Sequence, residues 1–301
     1  MKLRIGVMHT LPSAQSGEAY EYNIRMNDLI HKNMDMVRSE GTEITFQFPR
    51  LGLDGFGAFQ YAYMNALNDI ETLRGYMDMN ESGDFDAVIG WCFYDPMMLE
   101  GRQVLDVPLI GPAEVCMKTA TMMGTKFGIV TTSQKTEWVV KELVHKYRLE
   151  HECAGVKGIR ISFQDQIDAL DDARANIDGF IEVARELIAD GAEVLIPGCM
   201  LADTCLRMVP GCEDEYPNGL THVDGVPILN VTSVVLLEAE KFAKMKVTET
   251  PWISRKLFYN TGQDDPESQK EASRLMEYSG PGFWRDGPER GTVVDLKSGT
   301  G

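Results

Sequence analysis

Short apolar runs rich in β-branched residues alternate along this chain with longer stretches in which apolar positions recur at helical spacing. The runs predict strands and the stretches predict helices. Leu3 to His9 is a first strand, followed by a loop with Pro12, Ser13, Ser16 and Gly17 and a helix from Glu18 to Arg38. Thr42 to Phe48 is a second strand. Leu51 to Phe59 is a loop whose glycines lack the strand-turn-helix setting of a dinucleotide fingerprint. A helix from Gln60 to Met79, a strand ending at Cys92, a short helix from Pro96 to Leu105, a strand at Val107 and a helix from Pro112 to Met123 complete the first half. The second half opens with a strand from Lys126 to Ser133 and a helix from Gln134 to Tyr147. A strand from Gly158 to Phe163 leads to a long helix from Asp168 to Asp190, with Ile177, Phe180, Ile181, Ala184 and Leu187 on one face. A strand ending at Cys199, an irregular insertion over 200–225, a strand from Val226 and a helix from Asn230 to Met245 follow. From Thr250 the composition shifts to Gly, Pro, Ser and charge, which predicts an appendage, an arm toward a neighbouring subunit.

Strands alternating with helices predict an α/β fold with mainly parallel sheets. One pattern occurs twice. Phe85-Asp-Ala-Val-Ile-Gly-Trp-Cys92-Phe-Tyr-Asp-Pro96 is a buried-type strand that delivers a cysteine at its carboxyl end, and Gly191-Ala-Glu-Val-Leu-Ile-Pro-Gly-Cys199-Met-Leu repeats it. Behind each comes a Val-Pro strand, at Val107 and at Val226. The repeat predicts two similar doubly wound lobes related by a pseudo-two-fold, with the active site between them. Residues 1–123 form the first lobe, 124–249 the second and 250–301 an extension, with the chain free to return to the first lobe near its end. Ligands in such sheets bind outside the carboxyl ends of strands, where both cysteines stand.

The chain has 301 residues, 44% hydrophobic and 25% charged, the balance of a globular protein. A formal net charge of -17 with scattered basic residues excludes an electrostatic footprint for nucleic acid. No run approaches the ~18 apolar residues of a membrane span, and the amino terminus lacks the features of a signal peptide. The expected setting is cytoplasmic, the six cysteines reduced, the partner a small-molecule substrate and the assembly a homo-oligomer. Cys199, Cys205, Cys212 and His222 match no zinc spacing, so neither a metal nor a cofactor is expected.

A single strand-end cysteine is most simply a small buried hydrophobe. Two at equivalent places suggest chemistry. Each precedes a loop or helix whose N–H groups favour a thiolate. Across a cleft, one thiolate can remove a proton from a carbon while the opposing thiol returns one to the other face. Two rivals stand beside this. One is a racemase or cis-trans isomerase of a small amino acid or dicarboxylate, in which one cysteine could add to a double bond. The other is a non-catalytic ligand-binding or thiol-redox protein.

Over about residues 83 to 245 the chain resembles the aspartate/glutamate racemase superfamily, and within it the hydantoin and allantoin racemase branch. The carrying segments are the two cysteine strands, Val107-Pro-Leu-Ile-Gly-Pro-Ala-Glu114 and Gly124-Thr-Lys-Phe-Gly-Ile-Val-Thr-Thr132; the Cys-Phe-x-Asp-Pro element favours the branch. The resemblance implies a cofactor-independent racemase or epimerase acting beside a carbonyl, on a 5-substituted hydantoin or related cyclic ureide. It implies Cys92 and Cys199 as the proton-transfer pair, with Thr131, Thr132 and Ser133 near substrate oxygens and Glu114 at a ring N–H. Phe93, Tyr94, Met200 and Leu201 would line the pocket. His9 and Thr10 stand where the branch carries Asn-Pro-Asn; His9 would polarise a carbonyl or serve as a structural strand-end histidine.

Overall fold

The computed structural model describes residues 1–11, 18–53, 58, 61–261, 265–268, 270, 271 and 274. The loop expected over 12–17, the centre of the glycine-rich loop and most of the tail lie outside the described residues.

The first half runs β1 (Leu3–Met8), α1 (Glu18–Asp35), β2 (Thr42–Gln47), α2 (Ala62–Ser82), β3 (Ala87–Gly90), α3 (Met98–Val104), β4 (Leu109–Ile110) and α4 (Pro112–Met123). The second runs β5 (Phe127–Thr131), α5 (Glu137–Lys146), β6 (Cys153–Gly158), α6 (Phe163–Asp168), α7 (Arg174–Ala189), β7 (Val194–Pro197), α8 (Met200–Met208), the hairpin β8 (His222–Val223) and β9 (Val226–Pro227), and α9 (Val231–Val247). Sheet order is β2-β1-β3-β4 in one lobe and β6-β5-β7 in the other, parallel throughout. The duplication holds in register. Val88, four residues before Cys92, pairs with Leu109 behind the first Val-Pro; Leu195, four before Cys199, bridges Ile228 behind the second. The second Val-Pro strand is thus reduced to a single bridge, because its Val and Pro are taken into the hairpin.

Three further expectations need correction. The strand placed at Gly158 to Phe163 lies earlier, at Cys153–Gly158. It ends at Gly158, opposite Thr131, the last residue of its partner β5, and the chain there passes Ser133 so closely that a Cβ would fall 2.1 Å from its carbonyl carbon. The long helix expected from Asp168 begins later, as α7 at Arg174, and a separate short helix, α6, precedes it. Ser162 and Asp165 form a capping box that starts α6, and the turn after Asp168 is tied by the Ala173 N–H to the Pro210 carbonyl at 2.8 Å. The insertion over 200–225 begins not as loop but as α8.

One face of each sheet and the last helix of each half share a core. Ile5, Val7 and Ile89 of the first sheet and Ile129, Val194 and Ile196 of the second enclose Cys116, Met117 and Ala120 of α4 and Val235, Leu236 and Ala239 of α9. These helices cross over: α4 packs on β5 and β7 of the second sheet, and α9 on β1, β3 and β4 of the first. The outer faces are covered by Tyr76, Met79 and Met98 on one side and Ile177, Phe180, Val183 and Leu187 on the other. No helix among the described residues is long and apolar enough to cross a membrane.

Candidate active site

The carboxyl ends of β1 and β3, the central strands of the first sheet, and of β5 and its neighbour β7 in the second meet at a cavity of about 120 Å³. His9 and Thr10 reach it from β1, Cys92, Phe93 and Tyr94 from β3, Thr132 from β5, and Cys199, Met200 and Leu201 from β7. Within each sheet every strand points its carboxyl end the same way, and the packing of the two sheets sets those ends on one cavity. Both repeat cysteines therefore face one space.

Cys199 is the N-cap residue of α8, and the N–H groups of Leu201 and Ala202 in the first turn are directed at its sulfur. Cys92 sits in a tight turn in which Asp95 and Met97 adopt left-handed backbone angles, φ 47° and 53°. Its sulfur receives one backbone N–H, from Tyr94, and feels the carboxylates of Asp69 and Asp95. Burial pushes both thiols upward, since a buried thiolate loses its water. The donors oppose this, two at Cys199 and one at Cys92.

His9 is buried, stacked on Phe48 with ring centroids 4.7 Å apart, and its Nε2 lies 3.0 Å from Asn27 Oδ1. Burial lowers its pKa to about 4, so the ring is neutral near pH 7. Tyr94 holds its phenol oxygen 3.4 Å from the Thr132 hydroxyl, and Gln166 donates to the Thr132 carbonyl at 3.0 Å.

Three residues assigned to the substrate by resemblance lie elsewhere. Thr131 and Ser133 do not line the cavity. The Thr131 hydroxyl is 3.1 Å from that of Thr136, and Ser133 caps the short turn Gln134–Thr136, whose Thr136 hydroxyl donates back to the Ser133 carbonyl at 2.8 Å. Glu114 is turned away from the thiols. It pairs with Arg102 at 2.6 Å and with Lys118, and it borders a separate cavity with Trp252 and Tyr259. Its place in the first turn of α4 fixes that direction.

Several lining residues escaped the sequence reading: Tyr22 and Met26 from α1, Trp91, Thr136, and Phe163 and Gln166 from α6. Tyr22 and Met26 follow helical spacing and look like core; Phe163 falls at the end of the expected strand and Gln166 in the gap before the expected helix. The lining holds no Asp, Glu, Lys or Arg among the described residues. No group of three His, Cys, Asp or Glu side chains among them could hold a metal ion.

Fold and cavity define a class: duplicated α/β proteins with paired strand-end thiols between the lobes. A family model described as Asp/Glu/Hydantoin racemase matches residues 54–232. The chain belongs to that family, and it is an isomerase. It is 25% identical over 229 residues to a hydantoin racemase of Pseudomonas sp. (strain NS671), covering 73% of this chain and 84% of that protein. A hydantoin racemase of Rhizobium meliloti is 26% identical over 147 residues, 48% of this chain and 58% of that one. The fold is shared with two solved allantoin racemases. The enzyme from Klebsiella pneumoniae has a TM-score of 0.66 at 24% identity, covering 86% of this chain and 93% of its own. The enzyme from Pseudomonas fluorescens has a TM-score of 0.67 at 21% identity, covering 87% and 97%.

Proposed function

We propose that the protein is a cofactor-independent racemase of 5-substituted hydantoins or related cyclic ureides, with Cys92 and Cys199 as its two proton-transfer groups. The observation that carries this reading is the pair of strand-end thiols on one cavity whose described lining has no charged side chain. With no Lys or Arg in that lining, a dicarboxylate or amino acid would depend on N–H and hydroxyl donors alone to balance its charge, whereas a neutral ring asks only hydrogen bonds and apolar walls of the same groups. The ring proton to be moved is acidified by the adjacent carbonyl. One thiolate removes it, the enolate oxygen is held by hydrogen-bond donors of the site, and the opposite thiol protonates the other face. After turnover the thiol and thiolate have exchanged places, so the reverse reaction uses the same pair in opposite roles. Cys199 is the more readily ionised of the two, because the Leu201 and Ala202 N–H groups oppose the effect of burial on its sulfur. Thr132 and Tyr94 supply polar contacts at the wall, and neutral His9 at the floor.

The test is proton exchange in D2O, followed by NMR, over hydantoins with varied 5-substituents, allantoin, aspartate, glutamate and maleate. Exchange and inversion of a cyclic ureide are expected. Turnover of aspartate, glutamate or maleate with none of a ring substrate would transfer the assignment to the acyclic rival. A ready Cys92–Cys199 disulfide under mild oxidant with no turnover would favour thiol redox use. The tail is further proposed to join copies into a homo-oligomer, which light scattering of the chain with and without residues 250–301 would test.

A further inference from the structure

Each cysteine is followed by a buried aspartate, and the two aspartates are bonded alike. The Asp95 N–H donates to the Cys92 carbonyl at 3.0 Å; the Asp203 N–H donates to the Cys199 carbonyl at 2.9 Å. Asp95 Oδ1 accepts the Ala113 N–H at 3.1 Å, and its Oδ2 accepts the Glu114 N–H at 2.9 Å and the Tyr147 hydroxyl at 2.7 Å. Asp203 Oδ1 accepts the Val231 N–H at 2.7 Å, and its Oδ2 accepts the Thr232 N–H at 2.9 Å and the Thr232 hydroxyl at 2.7 Å. Each carboxylate thus receives two N–H groups from the first turn of a helix and one hydroxyl. The Asp95 carboxylate presses so close to the start of α4 that a Cβ on Gly111 would lie 2.7 Å from it.

The helices gripped are the two that cross over. Asp95 ties the Cys92 turn to α4, which packs on β7, the strand that delivers Cys199. Asp203 ties the Cys199 helix to α9, which packs on β3, the strand that delivers Cys92. Duplication accounts for the recurrence of the aspartate; what gives it a part in the site is that each time it reaches the helix seated on the other cysteine's strand. We infer that Asp95 and Asp203 are paired positioning residues: each fixes its own cysteine to the framework of the other, and together they set the separation of the two thiols. This rests on the two-thiol reading proposed above.

The test compares wild type with D95N and D203N in the full chain. Asparagine keeps the shape but replaces one acceptor oxygen by an NH2 that faces backbone N–H donors. Two quantities are read: the ratio of deuterium uptake with retention to racemisation of a turned-over hydantoin, and site-by-site alkylation of all cysteines by iodoacetamide, counted by mass spectrometry. A thiol pair out of register still abstracts and returns a proton on one face but fails to deliver to the other. Racemisation should therefore fall about ten-fold or more while exchange falls less, raising the ratio about five-fold. Each variant should speed alkylation of both Cys92 and Cys199 severalfold, leaving buried Cys116 and Cys205 as they were. Exchange and racemisation falling in parallel would overturn the inference, as would faster alkylation at the adjacent cysteine alone or at Cys116 and Cys205 as well. If wild type turns over no hydantoin, the functional reading fails, and the alkylation pattern still decides the ties. If an asparagine variant does not fold, Y147F and T232V, which remove one donor each, replace it with the same outcomes at smaller size.

Discussion

The Cys92 and Cys199 arms are built alike and finished differently. Both place a cysteine at the end of a buried strand and an aspartate behind it that grips a crossing helix. The Cys199 arm continues at once into α8, so its sulfur lies beside the first turn of a helix, where the Leu201 and Ala202 N–H groups oppose the effect of burial. The Cys92 arm turns sharply through two left-handed residues before α3 begins, leaving one N–H and two nearby carboxylates. Equivalent positions in a duplicated fold thus acquire unequal electrostatics from the few residues that follow them. For a two-base reaction this asymmetry is useful, since one member must start as thiolate and the other as thiol.

The largest expected effect comes from removing either arm's sulfur. Cys92→Ser and Cys199→Ser should each lower racemisation by about 10²–10⁴-fold, because a serine hydroxyl is far too weak an acid to replace a thiol. Each should keep deuterium exchange for one enantiomer, and the two should keep opposite ones. Retention of the same enantiomer in both, measured with separate D and L substrates, would break the two-face assignment.

The ionisation difference is the next way to sharpen the comparison. At pH 7.5, Cys199 should be alkylated by iodoacetamide about ten-fold faster than Cys92, which peptide mapping after brief exposure would resolve. The opposite order would exchange the resting roles.

The strands beside the cysteines differ too: β1 is followed by His9, and its counterpart β5 ends in Thr131 and is followed by Thr132. Burial depresses His9 to about 4, so the folded protein binds fewer protons than the unfolded chain between pH 4 and 6.5. The stability this contributes is fully present above pH 6.5 and is lost as pH falls toward 4. From pH 7.5 to pH 5 the loss attributable to His9 should be about 2 kcal/mol. His9→Gln should remove that part of the pH dependence, read by urea unfolding at both pH values; an unchanged dependence would show that the ring titrates normally.

The smallest effects separate lining residues from neighbours. Thr132→Val should raise KM about five-fold, the worth of about one net hydrogen bond. Ser133→Ala and Glu114→Gln should change KM less than about two-fold, because neither side chain reaches the cavity. Steady-state kinetics on one hydantoin would rank them, and a larger effect at Glu114 would reopen its place at the ring.

Much of this was legible in the chain. Strands ending at Cys92 and Cys199, the Val-Pro repeat and the alternation of elements follow from local pattern, because a buried parallel strand must be apolar throughout and must stop at turn residues. Segment 153–163 misled because Gly155 and Gly158 weaken a strand signal that only pairing with β5 restores. Ser162 and Asp165 already carried the capping box that starts α6.

By itself, then, the sequence determined the duplicated α/β plan, the strand-end position of both cysteines and the family, since these depend on residue types at short spacing. Only the tertiary structure decided that α4 and α9 cross between lobes, that Asp95 and Asp203 reach them, and that Glu114 faces Arg102 instead of the thiols. Those are contacts between residues distant along the chain, and their direction is set by which face of a helix meets which sheet. Local pattern reports that a helix has a buried face; the partner of that face exists only once both sheets are assembled.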